Sequence, residues 1–89
     1  MTDDLDRMAL EALSICEEKG WDRTWPHGGC YLHLEVSEFI EALRGKGDTS
    51  PVEEAADVLF VLLSTCAHHG ISMKRVVKEL EAKMQRNLR

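Results

Sequence analysis

Leu34-Glu35-Val36-Ser37-Glu38-Phe39-Ile40-Glu41-Ala42-Leu43 decides the fold, read together with Glu53-Glu54-Ala55-Ala56-Asp57-Val58-Leu59-Phe60. Both stretches carry apolar residues at helical spacing and contain no run of alternating β-branched residues. Each also holds two acids three residues apart, Glu35/Glu38 and Glu54/Asp57. Residues i and i+3 of a helix share a face, so each pair offers two carboxylates on one side. Packed against each other, the two helices gather four acids among aliphatic neighbours. Such a cluster repels itself, and partial burial raises the cost of ionising it. A divalent cation relieves both penalties, and all-oxygen ligation suits Mg²⁺, with Mn²⁺ as a substitute. Asp57 strengthens this reading, because Asp is a poor helix former set inside the most apolar helix.

Outward from these stretches the chain reads as all-α. A first helix is expected over about residues 5–19, capped by Asp3 or Asp4 and ended by Gly20. Trp21 to Gly29 reads as a loop, because Pro26 and the Gly28-Gly29 pair argue against regular structure. The second helix is expected from about Cys30 to Arg44. The third runs from about Pro51 to His69, with Ser50 as cap and Glu53 completing a capping box. Gly70 closes it, and Ser72 caps a fourth helix with a seam of Met73, Val76, Val77, Leu80 and Met84. The third helix is apolar nearly all round from Ala55 to Cys66. Three other short helices cannot cover it fully, so a homodimer or a homotetramer is expected. No repeat or linker divides the chain, which reads as one domain over residues 1–89.

Composition limits function. With 44% hydrophobic and 30% charged residues in 89, the chain is ordinary globular protein. A net charge of −5 argues against nucleic acid as the main partner. The basic stretch from Lys74 to Arg89 suits a small anionic ligand instead. Val58 to Leu63 is the longest strictly apolar run, far short of the ~20 residues that span a bilayer. The acidic N-terminus does not look like a signal peptide, and Cys16, Cys30 and Cys66 form no disulfide pattern. Cytoplasmic location without membrane attachment is the expectation.

Other motifs carry less. Trp21 and Trp25 suit either a plug at the end of a helical bundle or, with His27, a nucleobase pocket. His27, Cys30 and His33 are spaced by three, but no fourth zinc ligand is evident. A carboxylate-bridged di-iron bundle calls for Glu-x-x-His, which is absent here.

Glu35-x-x-Glu38, a gap of sixteen positions to Glu54, and Glu54-x-x-Asp57 together resemble the signature of the MazG-like nucleotide pyrophosphohydrolases. Lys83-Met-Gln-Arg-Asn87 is similar to that family's Lys-x-x-x-Asn element in its last helix. The resemblance implies a four-helix MazG-like bundle completed by homo-oligomerisation, with Mg²⁺ bound and a nucleoside triphosphate cleaved to monophosphate and pyrophosphate. It further implies Glu35, Glu38, Glu54 and Asp57 as metal ligands, with Lys83 and Asn87 on the nucleotide. Among the acids, Glu38 is taken as the general base. The rival readings are a non-enzymatic helical dimerisation module and a nucleotide-binding sensor.

Overall fold

The computed structural model describes residues 2–88. Four α-helices account for almost all of them, with no strand among the described residues: α1 (Thr2–Lys19), α2 (Trp25–Leu43), α3 (Pro51–His68) and α4 (Met73–Asn87). No single helix is long and apolar enough to cross a membrane.

α3 lies at the centre, packed on one side by α1 and on the other by α2, while α4 packs mainly on α1. Small residues let the helices approach closely. Ala9 of α1 packs with Leu63 and Cys66 of α3 and Met73 of α4 in one buried cluster, and Ala12, Cys16 and Val61 are buried as well. α3 turns into α4 through 116°. α1 and α3 both end on a glycine with positive φ, Gly20 at 72° and Gly70 at 70°. The following N–H then folds back across the last turn, Trp21 to the Cys16 carbonyl and Ile71 to the Cys66 carbonyl, each at 2.8 Å.

α3 begins as its sequence indicates. Ser50 accepts from the Glu53 amide at 3.2 Å, and Pro51 takes the first helical position. The other starts differ from expectation. α1 begins at Thr2, so Asp3 and Asp4 lie within the helix and not ahead of it. α2 begins at Trp25, five residues before Cys30, so the segment read as a loop to Gly29 is helical from Trp25 on. Pro26 sits in the first turn, where its missing N–H costs nothing. Gly28 serves close packing: a Cβ there would stand 3.1 Å from the Arg23 carbonyl oxygen and 3.3 Å from Thr65 Oγ1. Ser72 precedes α4 at the N-cap position, but its side chain makes no capping bond. Asp6 of α1 does that from across the molecule, accepting from the Met73 amide at 2.6 Å and the Lys74 amide at 3.2 Å.

α3 is less completely covered than a core helix requires. Leu59 and Leu62 remain exposed, as do Leu34, Ile40 and Leu43 of α2. Along α4 the seam is buried only at Met73; Leu80 and Met84 are more than half exposed.

Candidate active site

The short connection of residues 44–50 places the end of α2 beside the start of α3, and this sets the acids together. Glu35 and Glu38 project from one face of α2, and Glu54 projects from the first turn of α3. A carboxylate oxygen from each lies within 4.8 Å of the others. Glu54 is 4% exposed, Glu35 is half-buried and Glu38 is exposed. Thr49 donates to Glu54 Oε1 at 2.9 Å and fixes that carboxylate. Oε2 of Glu54 and Oε2 of Glu35 are both buried with no hydrogen-bond partner.

The electrostatics follow from this crowding. Burial pushes the Glu35 carboxyl above its ordinary value, and the charges of Glu38, Asp57 and Glu54 push it further, against a smaller opposing pull from Arg23. Glu38 is shifted upward too, by desolvation of its carboxyl first and then by the charges of Glu54 and Asp57. The Glu38 residue is exposed, so neighbouring charge is the more durable of these causes.

Asp57 stands one turn beyond Glu54, outside the three-acid group and exposed. It shares with Glu35 the rim of a cavity of about 270 Å³, walled by Trp21, Arg23, Tyr31, Phe60 and Val61. On the other side Glu38 and Glu54 border a second cavity of about 300 Å³, together with Ser37, Lys46 and Thr49. The acid row thus separates an aromatic chamber from a polar one.

The donors fit a hard divalent cation. They are all oxygen, two are buried with nothing else to bind, and two Mg–O bonds of ~2.1 Å bring ligand atoms to a separation of at most ~4.2 Å, a small contraction from 4.8 Å. An unpaired buried carboxylate oxygen is otherwise costly.

The remaining candidates divide. Trp21 lines the aromatic chamber and meets Phe60 edge-on, with ring centroids 6.3 Å apart. Trp25 is 78% exposed, and neither it nor His27 lines that chamber; His27 Nε2 instead lies 3.7 Å from Asp22 Oδ2. His27 is helical and no longer a loop residue. With Cys30 and His33 it forms no converging metal group among the described residues. Lys83 and Asn87 are exposed on the far half of α4, and neither lines the two cavities beside the acids. Within one chain the structure does not bring them to the cluster.

Arg23, Tyr31, Phe60 and Thr49 belong to the site and escaped the sequence reading. Tyr31 is four residues before Glu35 and Phe60 three after Asp57, so helical spacing already put both on the acid faces. Arg23 and Thr49 lie outside the helices, where no periodicity marks them.

Comparison with curated proteins and with solved structures gave no match. A family model did match, that of phosphoribosyl-ATP pyrophosphohydrolase, over residues 29–84. The matched stretch contains both acid pairs and the connection carrying Thr49. It covers well over half of the chain, which therefore belongs to the phosphoribosyl-ATP pyrophosphohydrolase family, within the MazG-like all-α nucleoside triphosphate pyrophosphatases.

Proposed function

We propose that this chain is a Mg²⁺-dependent pyrophosphohydrolase that converts a nucleoside triphosphate or deoxynucleoside triphosphate to its monophosphate and pyrophosphate, in control of the nucleotide pool. The observation that carries this is the pair of buried, unpartnered carboxylate oxygens of Glu35 and Glu54, converging with Glu38. Glu35, Glu38 and Glu54 would hold the cation, and Asp57 would join them from the adjoining rim. Mn²⁺ can substitute, since the donors are the same.

A divalent cation at this site supplies neutralisation of the phosphate oxygens and a more acidic water. The protein's own part is positioning and proton transfer. Glu38 is the most accessible of the three acids and holds a proton more tightly than an ordinary glutamate. It is the group suited to taking the proton from the attacking water. The aromatic chamber receives the base, which leaves the phosphate chain against the acid row.

Lys83 and Asn87 reach a nucleotide only if a second copy brings α4 over the acids. The uncovered Leu59, Leu62, Leu80 and Met84 give that copy a surface to bury, so a homodimer or homotetramer is the working form. Light scattering at micromolar concentration measures this directly, and a monomer that is fully active removes Lys83 and Asn87 from the site.

The decisive assay offers all common NTPs and dNTPs, and phosphoribosyl-ATP because of the family's description, with Mg²⁺. Monophosphate and pyrophosphate are the expected products. Glu38→Gln abolishes pyrophosphate release while the fold persists. Absence of turnover on every substrate, with no stabilisation by millimolar Mg²⁺ or Mn²⁺, returns the chain to a helical dimerisation module.

A further inference from the structure

We propose that Arg23 reads the nucleobase, holding in the aromatic chamber a base that presents two adjacent hydrogen-bond acceptors. The O6/N7 edge of guanine and the O2/N3 edge of cytosine share this chemistry. The inference deepens the proposed function and rests on it.

Arg23 is only 5% exposed, yet among the described residues no carboxylate lies within 4 Å of it. A buried cation without a counterion is expensive unless its donors are occupied. Two of the five are. Nε donates to Ser64 Oγ at 2.8 Å, and Nη1 donates to the Asp22 carbonyl at 3.3 Å. Ser64 is itself fully buried and hydrogen-bonded to the Phe60 and Val61 carbonyls of α3, so this anchor is fixed. The guanidinium carbon lies 5.5 Å from the Tyr31 ring centroid and 5.9 Å from that of Phe60. The group is held in place, and three N–H donors remain on the side chain.

Arg23 borders the chamber of about 270 Å³ that Trp21, Tyr31 and Phe60 line with aromatic rings. Its walls suit a flat aromatic ligand. A phosphate is the usual partner of arginine, but this chamber is walled by the rings of Trp21, Tyr31 and Phe60, which suit the flat face of a base and not a tetrahedral anion. The rigid fork of a guanidinium matches two neighbouring acceptors, as in bidentate contact with guanine. Adenine sets an amino donor beside N7, and uracil sets N3–H beside each carbonyl, so both meet the fork with one opposed donor.

The test uses nucleosides, which carry no phosphate, with the Trp25→Phe chain so that Trp21 is the one fluorophore of its kind. Quenching of Trp21 by guanosine, cytidine, adenosine and uridine gives four dissociation constants. Guanosine or cytidine binds about ten-fold or more tightly than adenosine and uridine. Arg23→Lys keeps the charge but loses the fork, and the preference collapses toward unity. Ser64→Ala, which frees the guanidinium, lowers it as well. For guanosine, the 7-deaza analogue loses most of the advantage; for cytidine it is uridine that reports the same loss. An unchanged preference in Arg23→Lys overturns the inference, as does an equal loss across all four nucleosides or no nucleoside binding at all. Melting curves on each variant exclude unfolding. Flat nucleoside binding with triphosphate hydrolysis intact overturns Arg23 alone; selective binding without hydrolysis of any triphosphate overturns only the proposed reaction.

Discussion

The hydroxyl of Thr49 donates to one oxygen of Glu54 at 2.9 Å and leaves the other oxygen buried and unpaired, facing its neighbours in the acid cluster. The threonine belongs to the connection between α2 and α3, so the turn that joins the two acid helices also aims one of their carboxylates. Groups that orient a metal ligand from behind commonly set affinity by ten-fold or more. Thr49→Val keeps the shape and removes the donor. Its Mn²⁺ or Mg²⁺ affinity, read from metal-dependent melting, should fall roughly ten-fold, while Thr49→Ser stays near the parent.

Glu54→Gln separates repulsion from ligation. The amide oxygen still accepts from Thr49, but the buried negative charge is gone. Without metal this variant should melt no lower than the parent, since the cluster loses a repelling member. With metal it should lose the stabilisation that the parent gains, about 2.7 kcal/mol when the cation is at a hundred times its dissociation constant. Calorimetry without Mg²⁺ and with Mg²⁺ stepped up to roughly millimolar distinguishes the two effects.

The upward shifts of Glu35 and Glu38 fix the sign of a pH effect. Their folded-state proton affinity exceeds the unfolded value, which is 4.5 for an ordinary glutamate. The folded state therefore binds more protons than the unfolded one as pH rises past that value, and the metal-free protein loses stability across that window. Asp22 acts oppositely and at lower pH, its carboxylate held down by the Thr24 amide and hydroxyl. The difference between the parent and Glu35→Gln in EDTA isolates the cluster. Metal affinity runs the other way and rises with pH, because ligation requires the ionised carboxylates.

What the sequence made legible was periodic. The acid pairs at three-residue spacing, the capped start of α3 and the glycine ends of α1 and α3 are local signals; the structure has the cap and both glycine ends, and it gathers Glu35, Glu38 and Glu54 while Asp57 stays on the adjoining rim. The start of α2 is not legible in the sequence because Pro26 and Gly28 have two meanings. Proline breaks a helix interior but suits its first turn, and Gly28 is small because Arg23 and Thr65 crowd it. Arg23 and Ser64 are forty-one residues apart, and no pattern along the chain pairs them. Lys83 and Asn87 share a helical face, as their spacing requires. Where that face points depends on the turn between α3 and α4 and on what covers the outside of the bundle.

Asp6 decides how firmly α4 is held. It accepts from the first two amides of α4 and lies 3.4 Å from the Ser72 hydroxyl, so one side chain of α1 does the work of a cap for another helix. The carboxylate also complements the positive end of that helix. Asp6→Ala should cost about 1 kcal/mol in urea denaturation, the usual loss of a capping acceptor. Asp6→Asn, which keeps an acceptor and loses the charge, should recover much of it. The two variants also probe function. Asp6 lines neither cavity beside the acid cluster, so hydrolysis that depends on the acids alone is unaffected in folded protein. A raised KM for triphosphate in Asp6→Ala, relieved in Asp6→Asn, is the outcome expected if α4 delivers Lys83 and Asn87 to a neighbouring chain's phosphates.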